Sequence, residues 1–410
     1  MHTARMQYLL VLFLTPLLSL AAPESPASPN EISTAGTSST RTHRTISYDS
    51  RLFDDRANAG WGQFGIELYQ GIGFLFDLFP PIKARAFGRE AFLLGFLLLE
   101  EAIQLNWNWT VTYHEFGHGT RFSAFGFPPF YTDLVANAPV FSNIWGYLFY
   151  NVTHGNQGGL TYTNSSYNLT GADDAVTYMG GMNNTTYFAE LMDREIEQDR
   201  GHLAYLLPYF QNKLDPLRYT TITTTDGDPK GILDYYTSTG GGITGEHIKW
   251  GSAISLLTSA SFYSLLYAQY RYLAEGMADV PQLRIGAFDL PNSSFYLTSK
   301  GLSFRVSSQY RSVGEWRFPF SLEVVYLGTT TIEPTVSAIR RLDNIDLSAY
   351  LYGSNGIGAG MSGTYYWGKV QFHAGTDLFN RNTLFGERNS VVMSGTGLNV
   401  SLWARAAWAY

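Results

Sequence analysis

Residues 316–326 read WRFPFSLEVVY, in which large apolar side chains occupy every second position and mostly polar ones lie between them. A period of two places alternate side chains on opposite faces of a β-strand. Similar rows occur at 345–351, 370–374 and 398–410, and residues such as Gly, Asn, Asp or Ser bound them. Runs of about ten residues with this pattern are typical of lipid-facing barrel strands.

The composition of the chain agrees with that pattern. Aromatic residues make up 16% of the 410 residues, Gly occurs 41 times, and charged residues reach only 15%, against about 25% in ordinary soluble domains. The last residue, Tyr410, is in phase with the apolar face, which resembles the C-terminal strand signal of bacterial outer-membrane proteins. We therefore expect residues 281–410 to form an antiparallel β-barrel of about 8–10 strands. A strand near 45–53 is a further candidate member, and a soluble β-sandwich or periplasmic sheet would alternate as well.

The N-terminal residues indicate export. Residues 1–21 have a short basic start, an apolar run and small residues at the end, as a secretory signal peptide does. Residues 22–45 are rich in Pro, Ser and Thr, which predicts a disordered linker. The chain has no cysteine, so an exported protein of this size fits a bacterial envelope better than a eukaryotic secretory route. With 27 basic and 34 acidic residues and no basic run, a nucleic-acid partner is not expected.

Residues 46–275 lack the period of two and are predicted to be mainly helical. Their apolar clusters are too short for a membrane span, and residues 145–172, rich in Asn, Gly, Tyr and Thr, are predicted to be an irregular loop. The expected fold class is thus α+β: a mainly helical domain followed by a β-barrel of outer-membrane type.

The helical part contains the motif with the clearest chemistry. Residues 114–118 read HEFGH, the H-E-x-x-H pattern of zinc peptidases. On a helix, His114 and His118 project from one face and can bind one Zn²⁺ ion. Glu115 is offset from them, so it can act as general base on a water whose pKa the metal lowers. Alternatively, the two histidines face solvent or hydrogen-bond to core carbonyls.

A catalytic zinc site needs a third protein ligand. A helix over residues 187–199 would place Glu195 and Asp199 on its apolar face, where unpaired carboxylates are costly. A zinc–histidine site would compensate them. Glu190 falls outside that face and is the alternative on this helix.

The run REIEQDR at residues 194–200 resembles the E-x-x-x-D segment of gluzincins, and most of all that of the HtpX-like and BepA-like envelope peptidases. That resemblance implies Glu195 as the third zinc ligand. It also implies that Asp199 hydrogen-bonds a ligating imidazole. The likeness covers only the two motifs and their spacing, and Gln198 stands where that family usually has Ala.

A second resemblance competes with the first. HEFGH followed by Phe125-Gly126 is similar to site-2-type intramembrane proteases, whose third ligand is an Asp. The segment Pro229 to Asp234 has the matching spacing, which makes Asp234 an alternative ligand, although Tyr235 replaces the expected Gly. Glu246 and His247 form a third possibility.

The sequence thus predicts a zinc metallopeptidase of the bacterial envelope that acts on protein or peptide substrates, with the outer membrane as its partner. Tyr187 and His247 are candidates for stabilising the oxyanion. Two alternatives remain: a non-enzymatic barrel with a structural or transport role, whose metal motif is vestigial or structural, and a soluble periplasmic peptidase with an accessory β domain.

Overall fold

The structure, a computed structural model, describes residues 45–49, 58–77, 85–155, 158–164, 169, 171–312, 315–380, 382–388 and 398–409. The predicted signal peptide lies outside these residues, as does nearly all of the predicted linker. Within them the chain is α+β, as predicted, with a helical part that precedes a large antiparallel sheet.

Helices account for most of the described chain before residue 276. They are α1 (Asn58–Asp77), α2 (Ala86–Ile103), α3 (Leu105–Ala124), α4 (Ile144–His154), α5 (Ala172–Glu197), α6 (Leu206–Lys213), α7 (Asp215–Ile222), α8 (Gly227–Ser238), α9 (Gly245–Leu257) and α10 (Ala260–Glu275), with a 3-10 turn at Leu203–Tyr205. A short helix, α11 (Leu384–Arg388), follows among the strands. Helix α5 has 26 residues, and its first turn carries Asp173 and Asp174, whose negative charges favour a helix N-terminus.

The strands form two sheets. They are β1 (Thr45–Asp49), β2 (Phe130–Asp133), β3 (Gly159–Tyr162), β4 (Arg284–Ile285), β5 (Phe288–Asp289), β6 (Asn292–Thr298), β7 (Gly301–Arg311), β8 (Trp316–Gly328), β9 (Ile332–Leu342), β10 (Ile345–Gly353), β11 (Ile357–Trp367), β12 (Val370–Asn380) and β13 (Leu398–Ala409). The large sheet has the order β1-β13-β12-β11-β10-β9-β8-β7-β5-β4, with β6 also paired to β7. Strands β2 and β3 form a separate pair.

The sheet joins the two ends of the described chain. Strand β1 pairs antiparallel with β13, so that Thr45 faces Ala409 and Asp49 faces Arg405. The expectation that an early strand joins the sheet is therefore confirmed.

The prediction of a closed barrel is wrong, because the sheet stays open. At one edge, the backbone N–H of Ser47 in β1 donates to Glu67 Oε2 of α1 over 2.8 Å. Near the other edge, all of β6, which pairs with β7, is buried where α5 and α9 pack against it. Helices thus cover β6 and contact β1, and the strands that end the order, β1 and β4, do not pair with each other.

The two faces of the sheet have reversed polarity compared with a soluble protein. The face towards the helices, here called the polar face, carries charged residues such as Arg305, whose Nη1 lies 2.6 Å from Glu190 Oε1. The opposite face, here called the outward face, exposes large apolar side chains, including Phe320 at 42% and Tyr326 at 50%. An antiparallel sheet in water normally buries its apolar face.

The main core lies where α1, α3 and α5 pack together. Trp61, Trp109, Phe116 and Phe188 are at most 1% exposed and contact one another there. No described helix is both long enough and apolar enough to cross a membrane.

Candidate metal centre

Helix α3 carries the predicted motif in its buried interior. His114, Glu115 and His118 are 7%, 6% and 6% exposed. One potential ligand atom from each lies within 4.8 Å of the others. The structure thus confirms that the three motif residues form a buried group able to hold a metal ion.

Helix α5 crosses α3 at this point, and glycines allow the close approach. A Cβ atom on Gly117 would lie 2.3 Å from the carbonyl oxygen of Gly180, and one on Gly181 would lie 2.2 Å from His114 Nε2. Any larger residue at either position would push the helices apart or displace the imidazole. The position of His114 therefore depends on glycine at the crossing.

Asp228, which the sequence did not single out, faces both imidazoles. Its Oδ2 lies 3.2 Å from His114 Nε2 and 3.0 Å from His118 Nε2. The residue lies in the first turn of α8, and its side chain is only 16% exposed. The two Nε2 atoms and one carboxylate oxygen therefore converge on one point.

The other nitrogen of each imidazole is also fixed. His114 Nδ1 lies 2.9 Å from Asp215 Oδ2, which also accepts a hydrogen bond from Thr185 Oγ1 over 3.0 Å. His118 Nδ1 donates to the carbonyl oxygen of Thr177 over 2.7 Å. Because each Nδ1 is engaged, each Nε2 is directed at Asp228, as in metal sites where an outer partner sets the tautomer.

The charges in this group depend on one another. Burial alone would lower the pKa of His114, but Asp215 and Asp228 outweigh burial and raise it well above its ordinary value. Burial would likewise lower the pKa of His118, and Asp228 raises it instead. Burial would raise the pKa of Asp228, yet the two imidazoles hold it far below its usual range. A positive charge, carried by protons on the imidazoles or by a cation, is therefore strongly favoured between His114, His118 and Asp228.

Glu115 lies beside this convergence point and is held by β3. Thr161 Oγ1 donates to Glu115 Oε2 over 2.7 Å and lies 3.1 Å from the Glu115 carbonyl oxygen. Burial raises the pKa of Glu115, although the neighbouring imidazoles oppose the shift. The prediction of an irregular loop over 145–172 is thus wrong in part, because this region contains α4 and β3, and β3 positions the catalytic candidate.

Tyr219 is the aromatic residue at the site. Its ring centroid lies 5.3 Å from that of His114, and the Asp228 backbone hydrogen-bonds to its oxygen. Burial, followed by the carboxylates of Asp228, Glu115 and Asp215, raises the pKa of Tyr219 far above its ordinary value. The hydroxyl therefore stays protonated at neutral pH and can donate a hydrogen bond.

The two residues predicted to stabilise an oxyanion have other contacts. The guanidinium of Arg194 lies over the Tyr187 ring at 5.7 Å from its centroid. His247 Nδ1 accepts a hydrogen bond from the Thr244 backbone over 3.1 Å and caps the start of α9.

Glu195 is not brought to the histidines. It lies about 21 Å further along α5 than Gly181, at a rise of about 1.5 Å per residue. Arg200 donates to both of its oxygens, over 2.8 and 2.6 Å. Asp199, predicted to orient an imidazole, instead pairs with Arg284 and with Arg311 Nη1, the latter at 2.7 Å. The carboxylates of Glu195 and Asp199 are thus compensated by arginines and not by a metal–histidine site.

The remaining acidic candidates also lie elsewhere. Glu190 accepts a hydrogen bond from Tyr296 over 2.7 Å and pairs with Arg194 and Arg305. Asp234 is exposed and pairs with Lys230 on the same helix. Glu246 pairs with Lys249 at 2.8 Å on the surface of α9.

Sequence reasoning missed Asp228, Asp215, Thr161 and Tyr219. The only local signal for Asp228 is its place directly before Pro229 at a helix start. An acidic residue there is usually explained by the helix dipole alone. The other three residues come from separate elements whose meeting point depends on the tertiary fold.

Comparisons with protein-family models, with curated proteins and with the solved structures find no match for this chain.

Proposed function

We propose that this protein is a zinc-dependent peptidase in which His114, His118 and Asp228 hold the metal and Glu115 is the general base. The observation that carries the proposal is the convergence of both Nε2 atoms on Asp228 Oδ2, at 3.2 and 3.0 Å. Two histidines and a carboxylate form a typical catalytic zinc donor set with one position left for substrate or water.

The donor geometry fits such an ion. Tetrahedral zinc with ligands at about 2.0–2.1 Å keeps neighbouring donor atoms about 3.3 Å apart, close to the separations from Asp228. Asp215 and Thr177 supply the outer hydrogen bonds that ligating histidines usually make.

Each residue then has a distinct task. Bound zinc would polarise a substrate carbonyl and lower the pKa of a coordinated water. Glu115, held by Thr161, accepts a proton from the attacking water and passes it to the leaving nitrogen. Burial raises the pKa of Glu115, which makes its carboxylate a better proton acceptor. Tyr219 donates its hydroxyl proton in a hydrogen bond to the developing oxyanion.

A peptide substrate is supported by the strand beside Glu115. Strand β3 pairs with β2 on one edge, and no strand of the described chain pairs with its other edge. An extended peptide can add to such an edge through backbone hydrogen bonds. The scissile bond would then lie next to Glu115.

The proposal places the enzyme at the bacterial envelope, on the strength of the signal-like residues 1–21. The site-2-like alternative loses its support, because Asp234 is exposed and paired with Lys230. The non-enzymatic alternative, with a structural metal motif, would explain the carboxylate directed at both imidazoles, but it gives no role to Glu115, which Thr161 holds beside them.

The test combines metal analysis with proteolysis of an unstructured protein such as casein. Purified protein should contain about one zinc per chain, lose cleavage on chelation and regain it with added zinc. Glu115→Gln should keep the zinc, while cleavage falls about 10²–10⁴-fold. Glu246→Gln, at an exposed position, is the matched control and should cleave normally. Wild-type protein that binds no zinc, or a Glu115→Gln variant with full activity, would exclude the proposal.

A further inference from the structure

We infer that the outward face of the sheet contacts the hydrocarbon of a lipid bilayer, and that the metal centre lies beyond one end of this apolar surface. The apolar surface does not depend on the chemistry at His114. Only the consequence for substrate access rests on the proposed function.

The strand register shows that the outward face is apolar across six neighbouring strands. Residues that face one another from β8 to β13 form rows on this face, and one complete row contains no polar side chain. It consists of Phe320, Val336, Leu351, Ala359, Leu378 and Val400. Phe320, Val336, Leu351 and Val400 are 42–63% exposed, so nothing in the described chain covers them.

The size of this surface exceeds what a soluble monomer exposes. Strand β8 has outward residues from Trp316 to Tyr326, which span about 33 Å, and six strands are about 24 Å wide. That rectangle covers about 800 Å², and its outward side chains are apolar apart from Arg340, Thr376 and Asn380, whereas the largest apolar patch of a typical monomer is about 300–600 Å². At a tilt of about 40° the strand length projects to about 25 Å, the height of the apolar band of outer-membrane proteins.

Aromatic residues gather at one end of the surface, as they do at a membrane interface. Trp316 begins the outward row of β8, Tyr365 and Trp367 end that of β11, and Trp408 ends that of β13; we call these four residues the aromatic rim. Arg340 also lies here, paired in register with Trp316, and its guanidinium is 5.2 Å from the centre of that ring. Amphipathic rings and a cation at one end match the headgroup region of a bilayer.

The β1 edge of the open sheet is contacted by a helix. Exposed backbone groups are not tolerated in hydrocarbon, but Ser47 N–H in the edge strand β1 is bound by Glu67. Helix α1 packs on β1. Helix α2, which contacts α1 through Phe76, presents exposed Phe87, Leu94 and Leu98 at helical spacing, which gives the helical part an apolar surface of its own.

The metal centre lies at the end opposite the aromatic rim. Helix α5 runs along β6, because Glu197 bonds Asn292 and Asn183 bonds Leu297. Leu297 is paired in register with Leu302, which faces Leu327 at the end of β8. Thr177, which binds His118, is about 9 Å further along the helix in the same direction. A substrate would therefore reach the metal from water and not from within the bilayer.

Cysteine labelling tests the surface directly, because the natural chain has no cysteine. Ala349→Cys and Ala374→Cys place a fluorescent probe at exposed outward positions in two strands. Ser348→Cys places it on the polar face one residue away, and Asn355→Cys in the turn between β10 and β11. The labelled full-length proteins are reconstituted into phosphatidylcholine vesicles with a nitroxide quencher midway along the acyl chain, and a cooperative thermal unfolding transition like that of the unlabelled protein serves as the check of folding.

The probes at positions 349 and 374 should lose most of their emission, while those at 348 and 355 should keep it. Equal quenching at all four positions, or none at 349 and 374, would overturn the inference. Probes at 349 and 374 that are shielded from water but not quenched, with Ala349→Cys chains that cross-link to one another, would overturn it in favour of a second copy of the chain. Failure of zinc binding alone would count against the proposed function and leave this surface unaffected.

Discussion

His114 Nε2 and Asp228 Oδ2 lie 3.2 Å apart although the two residues are separated by 114 positions in the chain. In the proposed site, α3 supplies two ligands and α8 the third. These three ligands meet only when the first turn of α8 is brought against the middle of α3.

Asp228→Asn should therefore abolish tight metal binding. Asn keeps the side-chain volume but removes the negative charge that faces both imidazoles. Loss of an outer-shell partner alone costs about 10–100-fold in affinity, so we expect a loss of at least about 100-fold here. Competition with a zinc-sensitive chelating dye measures the affinity. Asp234→Asn is the control and should bind zinc normally. If Glu195→Gln lost zinc binding and Asp228→Asn kept it, the third ligand would be Glu195 of α5.

Gly181→Ala should disturb the metal centre through a single methyl group. The new Cβ would lie 2.2 Å from His114 Nε2, so the imidazole must move away from Asp228. We expect a clear loss of zinc affinity, with a thermal unfolding transition still present. Gly95→Ala is the control, since a Cβ there meets no atom within 4 Å and should stabilise helix α2 by up to about 1 kcal/mol. Unchanged zinc binding in Gly181→Ala would contradict the described crossing of α3 and α5.

Tyr219→Phe tests the proposed oxyanion contact. Removal of one oxyanion donor typically lowers kcat by about 10²–10³-fold, and we expect a reduction of that order with KM and zinc content little changed. Steady-state kinetics on a fluorogenic peptide separate the two constants. Tyr187→Phe, whose ring lies under Arg194, should retain kcat. The opposite ranking of these two variants would assign the role to Tyr187.

Glu197→Gln should change how folding stability depends on pH. Burial first, and then the carboxylates of Asp193 and Asp289, raise the pKa of Glu197 to about 7. In the unfolded chain a glutamate loses its proton near about pH 4.3. The unfolded state thus releases this proton at a lower pH than the folded state does. The contribution of Glu197 to the free energy of unfolding therefore falls as pH rises from about 4.3 to 7.

Glutamine cannot ionise, and its side-chain oxygen can still accept the hydrogen bond from Asn292. Between pH 4 and 8 the wild type should lose free energy of unfolding on the order of 3 kcal/mol through this group, and the variant should not show that loss. Thermal unfolding at both pH values measures the difference. Glu246→Gln, whose carboxylate is exposed, should follow the wild type, and a Glu197→Gln variant with the wild-type pH dependence would show that Glu197 ionises normally.

Local patterns in the sequence predicted those features that depend on local geometry. The alternation at residues 316–326 predicted β8, and the spacing of His114 and His118 predicted two imidazoles on one helical face. The third ligand could not be predicted in this way. Glu195 was selected because a buried carboxylate needs a cation, and that argument holds equally for Arg200, which is the cation the fold supplies.

Closure of the sheet was mispredicted for a similar reason. The period of two fixes which side chains share a face, but it does not determine what covers an edge strand. Glu67 of α1 binds the Ser47 backbone, and this contact depends on the packing of the whole helical part.

The pairing of β1 with β13 has a consequence for the order of folding. Contacts between Thr45–Asp49 and residues 405–409 are among the most distant in sequence that the chain can make, and such contacts slow folding. Glu67, which lies in α1 near the start of the helical part, also bonds Arg405 Nη2 at 2.5 Å. During synthesis from the N-terminus, Glu67 of α1 therefore lacks its partner Arg405 until β13, the twelve-residue strand that is last in the described chain, has been made. The helical part and the sheet thus assemble late in folding.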